Sequence, residues 1–175
     1  MRKLIPVVAL ALVAVAGEAS SAQSPVTFQP SINAGISLPT GTLSSSFNTG
    51  YTAGAALDMH FAVVPLGWRA EASYTHMGLN IPGVTAATND VSGRLNAVLH
   101  LPMVLVSPYV IGGFGMYHVS STGSASETKP GWNAGLGFDV PLGPIGGRIE
   151  ARYHSISADN GQRYTYMPIT FGVRF

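Results

Sequence analysis

The chain has 175 residues, a formal net charge of +1 and no cysteine; only 10% of its residues are charged, while 21 are glycine. Soluble domains carry roughly 25% charged residues, so an ordinary soluble enzyme fits poorly, and the near-neutral balance argues against nucleic-acid binding and against polybasic attachment to a membrane surface. Without disulfides, a secreted domain of this composition must be held by its core or by extensive strand pairing.

The amino terminus reads Met1-Arg2-Lys3, then an apolar run from Leu4 to Ala16, then small residues at Ser20 and Ala22. This is the pattern of a secretory signal peptide spanning residues 1–22, with cleavage after Ala22. The apolar run has 13 residues, short of the roughly 20 that a membrane-spanning helix needs. No cysteine follows it to take a lipid anchor. Residues 23–175 remain as one domain. Loss of Arg2, Lys3 and Glu18 reduces nine basic and eight acidic residues to seven of each.

Turn chemistry divides this domain into eight alternating segments. The first, Phe28 to Leu38, sets Phe28, Ile32, Ala34, Ile36 and Leu38 against Gln29, Ser31, Asn33, Gly35 and Ser37. A polar loop, Pro39 to Asn48, leads to Tyr51–Phe61, with Tyr51, Leu57, Met59 and Phe61 on one face and Thr52, Asp58 and His60 on the other. After a Val64–Gly67 turn, Trp68–Met77 alternates Trp68, Ala70, Ala72 and Tyr74 with Arg69, Glu71, Ser73 and Thr75. A longer loop, Gly78 to Asn89, precedes Val91–Leu101, where Val91, Leu95, Ala97 and Leu99 oppose Ser92, Arg94, Asn96, Val98 and His100. The fifth segment, Pro108–Val119, is rich in glycine and its facing is ambiguous; Val110, Phe114 and Met116 are placed outward. A polar stretch from Ser120 to Lys129 separates it from Trp132–Val140, with Trp132, Leu136, Phe138 and Val140 against Asn133 and Asp139. Arg148–Ile156 sets Ile149, Ala151 and Tyr153 against Arg148, Glu150, Arg152 and His154. The last twelve residues, Tyr164–Phe175, alternate Met167, Ile169, Phe171, Val173 and Phe175 with Tyr166, Pro168, Thr170, Gly172 and Arg174.

Segments of about 10 residues match strands that cross a bilayer at a tilt of about 45°. The connections alternate too, three short turns with Pro or Gly against four longer polar loops, which is the asymmetry of periplasmic turns and external loops. The expected fold is therefore all-β: an eight-stranded antiparallel up-and-down transmembrane barrel, preceded by a cleavable signal peptide. An eight-stranded barrel has an interior just wide enough for side chains, too narrow for Trp68, Trp132 and most of the Phe and Tyr. The bulky columns therefore face lipid. Two aromatic girdles follow, made from Tyr51, Tyr74, Tyr117, Trp132 and Tyr153 towards the loops and Phe28, Phe61, Trp68, Tyr109 and Phe175 towards the turns. Tyr51 and Phe61 are ten residues apart, roughly 34 Å of strand, or about 26 Å after tilting, close to the apolar band of about 25 Å.

The inward columns then carry Asp58, Arg69, Glu71, Arg94, Asp139, Arg148, Glu150, Arg152 and Arg174. Unpaired, these charges would be costly; paired, they form a hydrogen-bonded plug. Asp139 is expected opposite Arg148, and His60 opposite Glu71. Arg69-Ala-Glu71-Ala-Ser-Tyr74 is echoed by Arg148-Ile-Glu150-Ala-Arg-Tyr153 at the equivalent place in the second half, which reads either as a relic of duplication or as one lumen chemistry needed at one depth.

Four pieces carry a family resemblance: Ser37-Leu-Pro-Thr-Gly41, Ser107-Pro-Tyr-Val-Ile-Gly-Gly-Phe-Gly115, Glu150-Ala-Arg-Tyr153 and the ending Pro168-Ile-Thr-Phe-Gly-Val-Arg-Phe175. Through them the whole mature chain resembles the small eight-stranded outer-membrane barrels of Gram-negative bacteria, of the OmpA/OmpX type and the generic outer-membrane β-barrel domain proteins. The resemblance implies residence in the outer membrane among lipid and lipopolysaccharide, as a monomer without cofactor or metal, in a structural or surface-interaction role. It also implies that Phe171, Val173 and Phe175 are the signal read by the outer-membrane barrel assembly machinery. Unlike full OmpA proteins, the chain is expected to carry no peptidoglycan-binding domain.

No metal spacing, P-loop, Rossmann fingerprint or nucleophile elbow is present, so no catalytic residue is assigned. The enzymatic alternative is a lipid A deacylase-like barrel using His154, Ser155 and Ser157; in those enzymes His and Ser are two apart, whereas here Ile156 stands two after His154. Two non-enzymatic readings stand beside it: a barrel binding a small hydrophobic solute, and a soluble lipocalin-like barrel, which would lack the lipid-facing girdles.

Overall fold

The computed structural model describes residues 26–175, apart from 62–64, 81–85, 102, 104–105, 123–124, 144 and 159–160. The expected signal peptide and its cleavage point lie outside the described residues. Eight strands follow in order: β1 Val26–Thr40, β2 Gly50–Phe61, β3 Leu66–Gly78, β4 Ala87–His100, β5 Ser107–Ser121, β6 Glu127–Leu142, β7 Ile145–Ser157 and β8 Arg163–Arg174. Each pairs antiparallel with its chain neighbours, and β1 pairs with β8, closing the barrel.

That closing seam runs from Ser31 opposite Arg174 to Thr40 opposite Thr165, and Phe175 N donates to Pro30 O at 3.0 Å. A closed ladder leaves no sheet edge, the condition for strands in lipid, where unpaired backbone groups are costly. Among the described residues the large exposed apolar side chains include Phe28, Ile36, Leu57, Trp68, Leu95, Leu136, Ile149 and Phe171. The buried residues are mostly polar, including Arg69, Asp58, Asn96, Arg152 and His154. The alternation read from the sequence is thus inverted relative to a soluble barrel, with the apolar columns outside.

The strands extend further towards the loops than the apolar alternation suggests. The stretch from Ser120 to Lys129, expected as loop, contains the end of β5 and the start of β6, and the loop expected to reach Asn89 ends where β4 begins at Ala87. Both columns are polar there, so the period-two signal fades while the ladder continues. Thr88 and Ser121, opposite one another on β4 and β5, join their hydroxyls at 2.9 Å.

Candidate functional site

The lumen is where the buried charge collects. Alternation turns carboxylates and guanidiniums inward from β2, β3, β4, β6 and β7, and the ladder registers decide which of them meet. Asp58 stands opposite Arg69, Glu71 opposite Arg94, and Asp139 opposite Arg148. These neighbours bond at 2.6, 2.7 and 2.9 Å. The long arginines then reach across the barrel. Arg69 Nη1 donates to Glu150 at 2.7 Å, Arg148 Nη1 to Asp58 at 3.0 Å and Arg152 Nη1 to Glu71 at 2.8 Å. Arg152 Nη2 also donates to Glu150.

The result is one unbroken alternating chain: Asp139, Arg148, Asp58, Arg69, Glu150, Arg152, Glu71, Arg94. Four cations and four anions balance, and every one of these residues is 1–8% exposed. A planar guanidinium with donors on three nitrogens suits this work, since it serves two carboxylates in different directions. Tyr109 stitches the centre, its hydroxyl donating to Glu150 at 2.6 Å. The guanidinium carbons of Arg69 and Arg148 lie 5.3 and 5.5 Å from its ring centroid, within cation–π range.

At the turn end, Asp139 also takes Arg174 at 3.2 Å and His100 at 3.3 Å. Further polar contacts pack beside the chain and continue along the lumen towards the loop end. Asn133 donates to Asn96 at 2.9 Å, and Thr52 and Thr75 join at 3.0 Å. Tyr117 and His154 join at 3.0 Å, His154 stacks on Tyr166 at 4.9 Å between centroids, and Tyr166 donates to Asp90 at 2.8 Å.

Eight of the nine charges assigned to the lumen from the sequence are buried in it, and Arg174 reaches Asp139 at its turn-side mouth, but several details differ. Tyr109 and Tyr117, assigned to the girdles, point inward and are 1% and 0% exposed. Their parity is that of Ile111, opposite to Val110, Phe114 and Met116, which are exposed. Glycine makes the room: a Cβ on Gly137 would lie 2.3 Å from the Tyr109 ring, and one on Gly131 would lie 2.7 Å from that of Tyr117. The remaining girdle residues, Tyr51, Tyr74, Trp132 and Tyr153 on the loop side and Phe28, Phe61, Trp68 and Phe175 on the turn side, face outward. His60 does not meet Glu71. The register puts Gly67 opposite His60 and Ala56 opposite Glu71, and His60 instead packs on His100 at 5.0 Å. Asp90 adjoins the expected Gly78–Asn89 loop, where no apolar column marks a facing, yet it is 2% exposed inside the barrel.

The repeated hexapeptide occupies opposite staves, β3 and β7, and its acidic partner is repeated too, as Asp58 before Arg69 and Asp139 before Arg148. Each half satisfies the other: Arg69 binds Glu150, and Glu71 binds Arg152. His154, Ser155 and Ser157 do not assemble. His154 is turned into the lumen onto Tyr117, while Ser155 leaves the opposite face of β7 and accepts from Arg163 at 3.2 Å.

Residues 7–175 match the family model described as outer membrane protein beta-barrel domain. No curated protein matches the chain at a significant level. Among solved structures, Neisserial surface protein A is 16% identical, with a TM-score of 0.67 over 86% of this chain and 98% of that one. Ail, the attachment invasion locus protein of Yersinia pestis, is 19% identical with a TM-score of 0.49, over 84% and 98% of the two chains. The N-terminal β-barrel domain of OprF from Pseudomonas aeruginosa is 13% identical with a TM-score of 0.49, over 84% and 97%. At these identities the likeness to the Neisserial protein is one of fold.

Proposed function

The chain belongs to the outer membrane protein β-barrel domain family and resides in the outer membrane, and from that premise we propose that it is a plugged platform, not a diffusion pore. Its even number of strands puts both ends of the barrel domain on the periplasmic side with the short turns, so the longer loops face outward. The observation that carries the proposal is the eight-residue chain of ion pairs across the lumen. The cavity in its midst, against Glu71, Arg94, Glu150 and Arg152, has a volume of about 10 Å³, the threshold for a single water. A hydrated ion crossing the barrel would have to separate buried guanidinium–carboxylate pairs, each break costing several kcal/mol.

The outward columns hold the barrel in lipid and against lipopolysaccharide. The lipid-facing column Phe171, Val173 and Phe175 serves as the assembly signal, and the protein acts as a monomer in a structural or surface-interaction role, a reading supported by a closed ladder that offers no strand edge to a second copy. The test is planar-bilayer recording with purified protein. Silence is expected; a steady, sizeable conductance would overturn the plugged reading.

A further inference from the structure

The loop-side end of the lumen is built differently from its middle. A cavity of about 410 Å³ opens there above the ion pairs, within the size range of small-molecule sites. One wall is apolar, with Met77, Val119 and Ile156 from the strands and Leu43 and Phe47 brought over from the β1–β2 connection; Thr88, Ser121, Gln162 and the Glu127–Lys129 pair join the lining. The chain segment is held there by Asn48 N donating to Gly78 O at 2.8 Å and Asn80 N to Ser46 O at 2.9 Å. The floor is Tyr166 and Asp90.

Asp90 is the exception among the buried carboxylates. Asp58, Glu71, Glu150 and Asp139 each hold at least two cationic groups. Asp90 receives one phenol hydroxyl, from Tyr166, on Oδ2. Its Oδ1 is buried and, among the described residues, accepts nothing. Arg94, on the same strand, is turned away onto Glu71 and Ser92. A buried acceptor without a donor is unfavourable, and a buried carboxylate without a cation more so. Here that group lies at the floor of a cavity with one apolar wall, at the loop end of the barrel.

We propose that this vestibule binds a small amphiphile with an apolar body and a protonated amine end. The ammonium group donates to Asp90 Oδ1, and the apolar body lies between Met77, Val119 and Ile156. An amine meets the one carboxylate that, among the described buried ones, lacks a cation; an anionic or purely apolar molecule would leave it unmet. Glu127 at the rim already holds Lys129 at 3.2 Å, so the deeper carboxylate discriminates. The site does not depend on the lumen being closed, because ion conductance and amine binding are separate readouts.

The experiment uses the mature barrel in phosphatidylcholine nanodiscs, free of lipopolysaccharide, with two fluorescent probes of one body and linker: dansylcadaverine, which carries a primary ammonium, and its N-acetyl derivative, which does not. Saturable binding of the ammonium probe at least tenfold tighter than the neutral one is expected. Asp90→Asn should bring the two affinities together, and Ile156→Trp, which fills the cavity, should weaken both tenfold or more. Heat-modifiable migration checks that each variant is folded; if Asp90→Asn fails to assemble, the wild-type comparison of the two probes still decides. No saturable binding, equal affinities in the wild type, or a preference that survives Asp90→Asn and disappears in Glu127→Gln would overturn the proposal.

Discussion

Glu150→Gln tests the charge chain at its centre. Glu150 Oε2 accepts from Arg69 at 2.7 Å and from Tyr109 at 2.6 Å, and Oε1 accepts from Arg152. A glutamine there keeps the shape and one acceptor oxygen but removes the charge, turning a balanced set of four cations and four anions into one with an excess cation. Breaking a buried pair by removing one partner costs about 3–5 kcal/mol. Arg69 keeps Asp58 and Arg152 keeps Glu71, so the lower end applies, about 3 kcal/mol, which is a large share of a typical total stability of about 5–15 kcal/mol. Guanidinium unfolding of the barrel in phospholipid vesicles, followed through Trp68 and Trp132, reads this directly. The double variant Glu150→Gln/Arg152→Gln restores charge balance and should recover stability relative to the sum of the single changes, with a coupling of about 1 kcal/mol or more. A single-variant loss under about 0.5 kcal/mol, or strict additivity in the cycle, would refute the view that this chain holds the lumen together.

Phe114 lies at the middle of β5 and is 77% exposed. Phe114→Arg should lower stability in vesicles by about 2–4 kcal/mol, the cost of a cation at mid-bilayer depth on a barrel's lipid face; an unchanged unfolding curve would place that face in water. Gly137→Ala should cost about 1–3 kcal/mol by overpacking Tyr109, whereas Gly93→Ala, whose Cβ would meet nothing within 4 Å, should stay within about 0.5 kcal/mol; equal effects on the same unfolding assay would contradict the glycine–tyrosine packing. Deleting Phe175, which is 59% exposed, should reduce the yield of assembled barrel in membranes more than the stability of the molecules that do assemble. Normal membrane yield of the truncation would count against its role as part of the assembly signal.

Much of the barrel is legible from period-two alternation. The columns ending in Phe175, Phe61 and Leu99 declare their face because apolar and polar residues alternate along them. The same rule fails where it has little to work on. On β5, glycines at 112, 113 and 115 blur the contrast between columns, and tyrosine suits a membrane interface as well as a buried hydrogen bond. Tyr109 and Tyr117 therefore resemble girdle residues in the sequence, although Val110, Phe114 and Met116 occupy the outward column. At the loop ends both columns are polar, which hides the length of the strands and the inward placement of Asp90. Leu43 and Phe47 sit in a Ser/Thr/Gly-rich stretch that suggests only loop, yet they roof the vestibule.

The sequence by itself determined the membrane-barrel architecture and the members of the central ion-pair chain, though not Asp90, because both follow from which face a side chain leaves. Local alternation carries that information along each strand. Only the tertiary structure decided the pairing. Asp139 with Arg148 follows from a short turn, but Arg69 with Glu150 and Arg152 with Glu71 join residues 81 apart on opposite staves. Their meeting depends on register around the closed ring and on arginines long enough to span it. The same closure left Asp90 with one donor at the floor of the vestibule. No local pattern reports it, because a missing partner is a property of everything that surrounds the group.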